Sequence, residues 1–108
     1  MIFGIAALMC GCGGAQVDIR NNAAVPLEDV AITAGERSAQ VVKRIEPLAE
    51  GKTTICPAGE AGEFALSFKA SGQLHRSEHR LYFECDSLYR IHIDVSSKFD
   101  ATADLIFK

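Results

Sequence analysis

This sequence has no tryptophan, no excess of positive charge and no charged residue near its N-terminus. Aromatic residues make up only 7% of the 108 residues. Eleven Lys and Arg against fourteen Asp and Glu leave a formal net charge of −3. A chain without surplus cations has little affinity for phosphate, so nucleic acid and bare anionic lipid are poor partners. With 48% hydrophobic and 23% charged residues, the composition is that of one globular domain.

Catalytic motifs are absent as well. The sequence contains no Gly-x-Ser-x-Gly, no phosphate-binding loop, no dinucleotide-binding fingerprint and no His-Glu-x-x-His. Segment 57–62 has two glycines, but its acidic residue, Glu60, would repel a phosphate. A cysteine beside a histidine can form a nucleophile pair, although an exported protein more often oxidises its cysteines. We therefore expect no enzymatic activity, no catalytic residues and no cofactor, with an exported hydrolase as the weakest alternative.

The N-terminal segment has the composition of a secretory leader. No charge precedes Asp18, residues 2–10 are apolar apart from one glycine, and small residues follow. A membrane-spanning helix needs roughly 20 apolar residues, and glycines disfavour it. An apolar stretch followed by small residues is instead typical of a signal peptide. Because the usual initial Lys or Arg is missing, we expect translation to start upstream. The alternative is a buried N-terminal strand.

Two processing sites are compatible with this segment. The Met-Cys-Gly sequence at 9–11 followed by Cys12 resembles the lipobox of bacterial lipoproteins. The resemblance implies that Cys12 carries a diacylglycerol and an acylated amino group, and several acyl chains anchor a protein durably. Gly13 after that cysteine implies, in the enterobacterial pattern, export to the outer membrane. The alternative is cleavage after Ala15, which would give a free soluble protein.

The expected domain organisation follows from this processing. Residues 1–15 form the leader and residues 16–108 form a single domain. Of the four cysteines, Cys56 and Cys85 then remain as a pair in an oxidising compartment. A disulfide between them would stabilise the domain by roughly 3.5 kcal/mol in the chain-entropy model. The alternative is two separately buried thiols, because the sequence does not show whether their Cα atoms approach.

The rest of the chain has the period-two pattern of short β-strands. In the clearest run, Tyr89, Ile91, Ile93 and Val95 alternate with polar residues. Turn signals recur every roughly 8 to 15 residues, which is too close for crossover helices. We predict an all-β, antiparallel two-sheet sandwich of immunoglobulin or fibronectin type with seven to nine strands. The Cys-Trp-Cys hallmark of true immunoglobulin domains is absent.

Three short segments carry a wider resemblance. Residues 17–22, residues 26–30, and Ile45-Glu46-Pro47 with Gly51 resemble short, uncharacterised bacterial lipoproteins and envelope proteins with an immunoglobulin-like sandwich. The resemblance covers most of the mature chain. It rests on turn and core positions, so it implies a fold and an envelope location facing the periplasm but no activity.

Two regions depart from simple alternation. Between Arg37 and Ile45 the apolar residues fall on both odd-numbered and even-numbered positions, so they cannot all face the same side of a regular strand. This pattern predicts a β-bulge. Residues 73–80 are polar on both faces, which predicts a solvated edge strand or a protruding hairpin whose charges discourage edge-to-edge pairing. The function this favours is a membrane-tethered interaction module that contacts an envelope protein through loops or through this edge. The predicted contact residues of the edge are Arg76, Glu78 and Arg80.

Histidines provide the alternative function. His75 and His79 lie in the same polar segment, and with His92 they would form a small-ligand or metal site in an exported carrier. On a strand, residues four apart are separated by roughly 13 Å, which is too far to share one ion. A shared site therefore needs a strand register that the sequence does not reveal, and solvated surface histidines are the more ordinary interpretation.

Overall fold

A computed structural model describes residues 14–34, 37–56, 63–83 and 88–107 as two β-sheets. The predicted all-β two-sheet sandwich is confirmed, and the eight described strands fall within the predicted number. No described helix is long and apolar enough to cross a bilayer. The strands in chain order are β1 (Ala15–Asn21), β2 (Leu27–Ala34), β3 (Arg37–Ile45), β4 (Glu50–Ile55), β5 (Glu63–Ala70), β6 (Gln73–Arg80), β7 (Tyr89–Val95) and β8 (Ala101–Phe107).

Each sheet contains four strands. The first sheet has the order β4-β1-β7-β8 and the second has the order β3-β2-β5-β6. Five of the six described strand pairs are antiparallel, whereas β1 and β7 run parallel. The sequence did not predict this parallel pair. Short turns force antiparallel neighbours only between consecutive strands, and β1 is separated from β7 by five strands of which four belong to the other sheet.

The core lies between the sheets and is built from the alternating apolar positions. On β7, Ile91, Ile93 and Val95 are fully buried, while the polar residues between them face outward. β1 and β5 contribute in the same way, as period two requires of a strand with one buried face. The other large apolar side chains that are fully buried in the described residues are Phe68, Ile19, Leu27, Ile32, Leu66, Val17 and Val30.

The sandwich is closed on one side by a tight corner between β3 and β4. Gly51 on β4 is buried, and a Cβ atom there would lie 2.8 Å from Cδ1 of Ile45. It would also lie 3.2 Å from Cγ2 of Val42. A side chain at position 51 would therefore force the side chains of Ile45 and Val42 to move. Because this corner joins β3 to β4, the strands β6 and β8 lie at the opposite ends of their sheets.

Asn21 is a buried polar residue that fastens the end of β1 to two loops. Its side chain is fully buried, and Nδ2 donates to the carbonyl oxygens of Val25 at 2.9 Å and Ile45 at 3.0 Å. Oδ1 accepts from the amide of Ala23 at 2.8 Å, and the amide of Asn21 donates to the carbonyl of Ala49 at 3.0 Å. These hydrogen bonds offset the cost of removing the amide from water.

The predicted irregularity between Arg37 and Ile45 is confirmed as a β-bulge. Val30 on β2 lies opposite Val42, but the next residue, Ala31, lies opposite Gln40. β3 therefore contains one extra residue at this point, which is the definition of a bulge. A bulge shifts the alternation of a strand by one residue, which agrees with the broken alternation of apolar residues in the sequence.

The first described strand begins at Ala15, one residue before the predicted domain start. Ala15 is fully buried and lies opposite Ile55 on β4. Residues 1–13, which include Cys12, lie outside the described residues, so the leader and the lipid attachment stay predictions.

Candidate functional site

The predicted interaction edge is the second strand of a regular hairpin. All eight residues of β6 pair in continuous register with β5, from Ala70 opposite Gln73 to Glu63 opposite Arg80. The two turn residues have positive φ values, 53° at Ser71 and 79° at Gly72. That combination defines a tight two-residue hairpin turn, whose twist matches the twist of the strands. The predicted edge strand over residues 73–80 is confirmed, with the same bounds.

The three predicted contact residues lie on one face of this strand. Arg76, Glu78 and Arg80 occupy alternate positions and point away from the other sheet, and their side chains are 55%, 78% and 71% exposed. Arg76 Nη2 lies 3.6 Å from Oε2 of Glu78, and Arg80 pairs with Glu63 on β5. Exposed ion pairs of this kind contribute little stability. These charges are therefore available to another molecule.

A shallow concavity lies beside these charges. Its volume is about 340 Å³, and it opens on the outer face of the second sheet. Ala65 on β5 and Thr33 on β2 lie opposite each other and line it, and Glu78 lies opposite Ala65 on the other side. The short side chains of β2 and β5 make the floor, and the long charged side chains of β6 make the rim. An open, charged depression of this kind suits contact with a protein surface better than enclosure of a small molecule.

The inner face of β6 carries His75 and His79 where a central strand would carry apolar residues. Each ring stacks on a phenylalanine of β5: His75 on Phe68 and His79 on Phe64, both with ring centroids 5.3 Å apart. The His75 ring also lies 4.8 Å from the ring of Phe99. Both histidines are half-buried. They cover the edge of the core with aromatic surface.

Burial changes the acid–base behaviour of His79. Nε2 of the ring lies 2.8 Å from Oγ of Ser77, on the same strand. Partial burial lowers the pKa of His79 below its ordinary value of 6.5, because removal from water disfavours the charged ring. The neutral form is thus favoured in the folded protein.

His92 lies far from this pair in the fold. It is on β7 in the first sheet, at a position that faces outward, opposite Asp18 on β1 and Asp104 on β8. Its Nε2 atom lies 3.3 Å from Oδ1 of Asp94. The structure does not bring the three predicted histidines together. Within the described ranges there is also no group of three His, Cys, Asp or Glu residues that could hold a metal ion.

Sequence reasoning missed a row of charges on the outer face of the first sheet. Asp18 is 6% exposed, and its carboxylate lies 3.4 Å from Nζ of Lys52 and 3.7 Å from Nε of Arg90. Gln16 Nε2 also lies 3.4 Å from Oδ1 of Asp18. The alternating polar residues of β1, β4 and β7 are visible in the sequence. Their ion pairs follow only from the register, which places Asp18 opposite both Lys52 and His92.

The predicted cysteine sites are only partly described. Cys56 directly follows β4 and is half-buried, whereas Cys12 and Cys85 lie outside the described residues. The end of β4 and the start of β7 flank the same end of β1, since Ala15 pairs with Ile55 and Gln16 pairs with Arg90. The disulfide and the lipid attachment stay predictions.

This arrangement defines a class by fold alone: a two-sheet β-sandwich with one solvated, charged edge strand. A solved protein from Eubacterium rectale, determined by NMR, has a similar fold, with a TM-score of 0.59 and 11% sequence identity. The similarity covers 91% of this chain and 93% of that chain. No protein family model matches the sequence, and no curated protein does.

Proposed function

We propose that this protein is a non-enzymatic interaction module that is tethered to the bacterial envelope and binds a partner protein through the outer side of β6. The observation that carries the proposal is the clustering of Arg76, Glu78 and Arg80 on one exposed face at the end of a sheet. An exposed edge strand offers unpaired backbone groups for another strand, and the flanking side chains supply specificity.

The position of Ala15 supports lipoprotein processing over cleavage after this residue. Ala15 is fully buried in β1, and a Cβ atom on Gly14 would lie 2.7 Å from Cβ of Thr54. Cleavage after Ala15 would remove Gly14 and the first residue of β1. Processing before Cys12 would leave β1 whole, with only Gly13 and Gly14 between the lipid-bearing residue and the strand. We therefore favour a lipid on Cys12, an outer-membrane anchor and a domain that faces the periplasm.

The course of the chain also supports the Cys56–Cys85 disulfide. β4 ends and β7 begins beside the start of β1. In the sequence, Cys56 directly follows β4 and Cys85 precedes β7. Phe83 is buried against Phe64 of the second sheet, with ring centroids 6.2 Å apart. A bond to Cys85 would therefore join the connection after β4 to a segment that is already fixed to the second sheet. Non-reducing mass mapping tests this pair.

Partner capture tests the binding surface. The full chain, immobilised and exposed to detergent-solubilised envelope, should retain a specific protein. Replacing Arg76, Glu78 and Arg80 with Ala should abolish that capture without lowering the melting temperature. The matched control replaces Lys43, Arg44 and Glu46, which are exposed, carry two positive charges and one negative charge, and lie in or directly after β3, at the opposite end of the same sheet. Capture that survives the first set, or is lost equally with the control set, would remove β6 from the proposal.

Processing tests the tether independently. The intact mass of the exported protein should include the lipid on Cys12, and Cys12→Ser should leave the precursor uncleaved. Continued cleavage of Cys12→Ser after Ala15 would contradict the tether but would not affect the interaction surface.

A further inference from the structure

We infer that β6 pairs with β6 of a second copy of this chain, antiparallel and with Ser77 opposite Ser77, which makes one continuous eight-stranded sheet. This inference rests on the proposed function, because it names the partner of the same edge. The basis is that the residues of β6 whose backbone groups point to the free edge also carry charges in an order that complements itself in a second copy.

The hairpin decides which residues of β6 present their backbone groups to the free edge. In a two-residue hairpin, the residues that flank the turn form a hydrogen-bonded pair, and hydrogen-bonded pairs then alternate along the ladder. Here Ala70 and Gln73 flank the turn. The odd-numbered residues of β6 therefore direct their N–H and C=O groups toward β5. The even-numbered residues, Leu74, Arg76, Glu78 and Arg80, direct theirs toward the free edge.

The order of charges makes this edge complementary to itself. With Ser77 at the centre, Arg76 lies opposite Glu78 of the second copy, and Glu78 lies opposite Arg76 of the second copy. All four are even-numbered positions, so their backbone groups can form hydrogen bonds across the edge. All four side chains lie on the outer face. Opposite charges at directly opposed positions stabilise a strand pair. Leu74 is 70% exposed and lies opposite Arg80 of the second copy, whose aliphatic stem can cover it.

Other registers also let the even-numbered residues form backbone hydrogen bonds across the edge, but they are less favourable. A centre at Arg76 places two arginines opposite each other. A centre at Glu78 opposes two glutamates and also places Arg76 opposite Arg80 twice. A centre at His75 pairs Leu74 with Arg76, gains no opposite-charge pair and shortens the overlap. A centre at His79 would pair Glu78 with Arg80, but it leaves only three residues of β6 in the overlap, against seven in the Ser77-centred register. Like charges at opposed positions destabilise strand pairing, so the order of charges and the length of the overlap together favour the Ser77-centred register.

The symmetry of this dimer agrees with a lipid tether on both chains. The two-fold axis passes through Ser77 normal to the second sheet, so both copies of the first sheet lie on the same side of the dimer. Ala15, in the first sheet, is three residues from Cys12, and three extended residues reach roughly 10 Å. Both anchors can therefore enter one bilayer when the first sheet faces it.

Charge exchange tests the register. We expect the full chain in detergent micelles to sediment as a dimer at low ionic strength. Arg76→Glu alone and Glu78→Arg alone each create two like-charge pairs, and each should raise the dissociation constant of the dimer roughly tenfold or more. The double exchange, Arg76→Glu with Glu78→Arg, should restore the wild-type value. An equimolar mixture of the two single variants should form a heterodimer, since their charges complement each other.

Cross-linking measures the register directly. Ser77→Cys should form an intermolecular disulfide under mild oxidation, because opposed residues in a non-hydrogen-bonded pair have Cα atoms about 4.5 Å apart. Leu74→Cys is the matched control. Its two copies would lie about 20 Å apart in this register, since each is three residues from the axis, so it should show no more cross-linking than the wild-type chain.

The outcomes separate the dimer from the proposed function. A wild-type chain that stays monomeric at high concentration overturns the dimer. If β6 alanine variants still lose capture of a different envelope protein, the interaction surface stands and only its occupant was wrong. A dimer that neither single charge reversal weakens would overturn the register and place the contact elsewhere.

Discussion

β7 and β6 are both regular strands whose residues alternate between an inward and an outward face, yet different interactions hold them in place. β7 pairs on both sides, with β1 and β8, and its inward residues Ile91, Ile93 and Val95 have no exposure. β6 pairs only with β5 in the part of the chain that the structure describes, and none of its residues is buried. Its inward positions hold a glutamine, two histidines and a serine.

The difference shows that two kinds of information specify strands in this protein. β7 is specified by its own apolar residues, because their burial requires an extended chain with one face inward. β6 has almost no apolar surface of its own. It is extended because the turn at Ser71 and Gly72 aligns it with β5, whose phenylalanines stack on its histidines. Four changes test this contrast, in order of decreasing effect.

The largest effect is expected from truncating the inner face of β7. Ile93→Ala removes fully buried methyl groups and leaves a cavity, and it should lower the free energy of unfolding by about 2–5 kcal/mol. Ile93→Val should cost about 0.5–1.5 kcal/mol and keeps the measurement possible if the alanine variant unfolds. Leu74→Ala on β6 is the control and should change stability by less than about 0.5 kcal/mol. Urea unfolding measures all three, and equal losses on the two strands would contradict the contrast.

A somewhat smaller effect is expected from Asn21, the buried polar residue at the end of β1. Asn21→Ala leaves the carbonyls of Val25 and Ile45 and the amide of Ala23 without their present hydrogen bonds. Each unpaired buried group costs about 1–3 kcal/mol, and the cost is smaller where water can reach the group. We therefore expect the free energy of unfolding to fall by about 3 kcal/mol. Asn22→Ala, at the neighbouring exposed position, should cost far less. If both substitutions cost the same in thermal melts, Asn21 does not fasten these loops.

The turn of the β5–β6 hairpin should respond next. Gly72 has a φ of 79° with open space around it, so Gly72→Ala meets backbone strain without a steric clash and should cost about 1 kcal/mol. Ser71→Asn should instead stabilise the hairpin by a few tenths of a kcal/mol, because asparagine tolerates positive φ better and Asn-Gly favours this turn. Hydrogen exchange of the β6 amides should rise in the first variant and fall in the second. Unchanged exchange in both would show that the turn does not hold β6.

The smallest effect is a pH dependence from His79 on β6. Its pKa is lowered in the folded protein, so between that value and 6.5 the unfolded chain binds more protons than the folded chain. This contribution to stability is therefore complete above pH 6.5 and declines as the pH falls below it. His79→Gln should reduce the change in melting temperature between pH 7.5 and pH 5. His92→Gln should leave the His79 contribution to that change in place. If His79→Gln does not alter how the melting temperature depends on pH, the dependence does not come from His79.

Sequence patterns predicted the class of fold and the edge strand because those features depend on local alternation. The bounds of β6 followed from a polar run between turn signals, and the bulge in β3 followed from apolar residues on both parities. The parallel pairing of β1 with β7 did not follow, because these strands meet only after the chain has crossed to the other sheet and returned. The separation of His92 from His75 and His79 was hidden for the same reason.

The sequence by itself determined which residues face inward on strands such as β7, because an extended chain can bury alternating apolar side chains on one face only. It also determined that residues 73–80 would be solvated. Only the tertiary structure decided which strands are neighbours and in which register. That choice depends on contacts between residues far apart in the chain, and it places Asp18 beside Lys52 and arranges Arg76, Glu78 and Arg80 along one exposed edge.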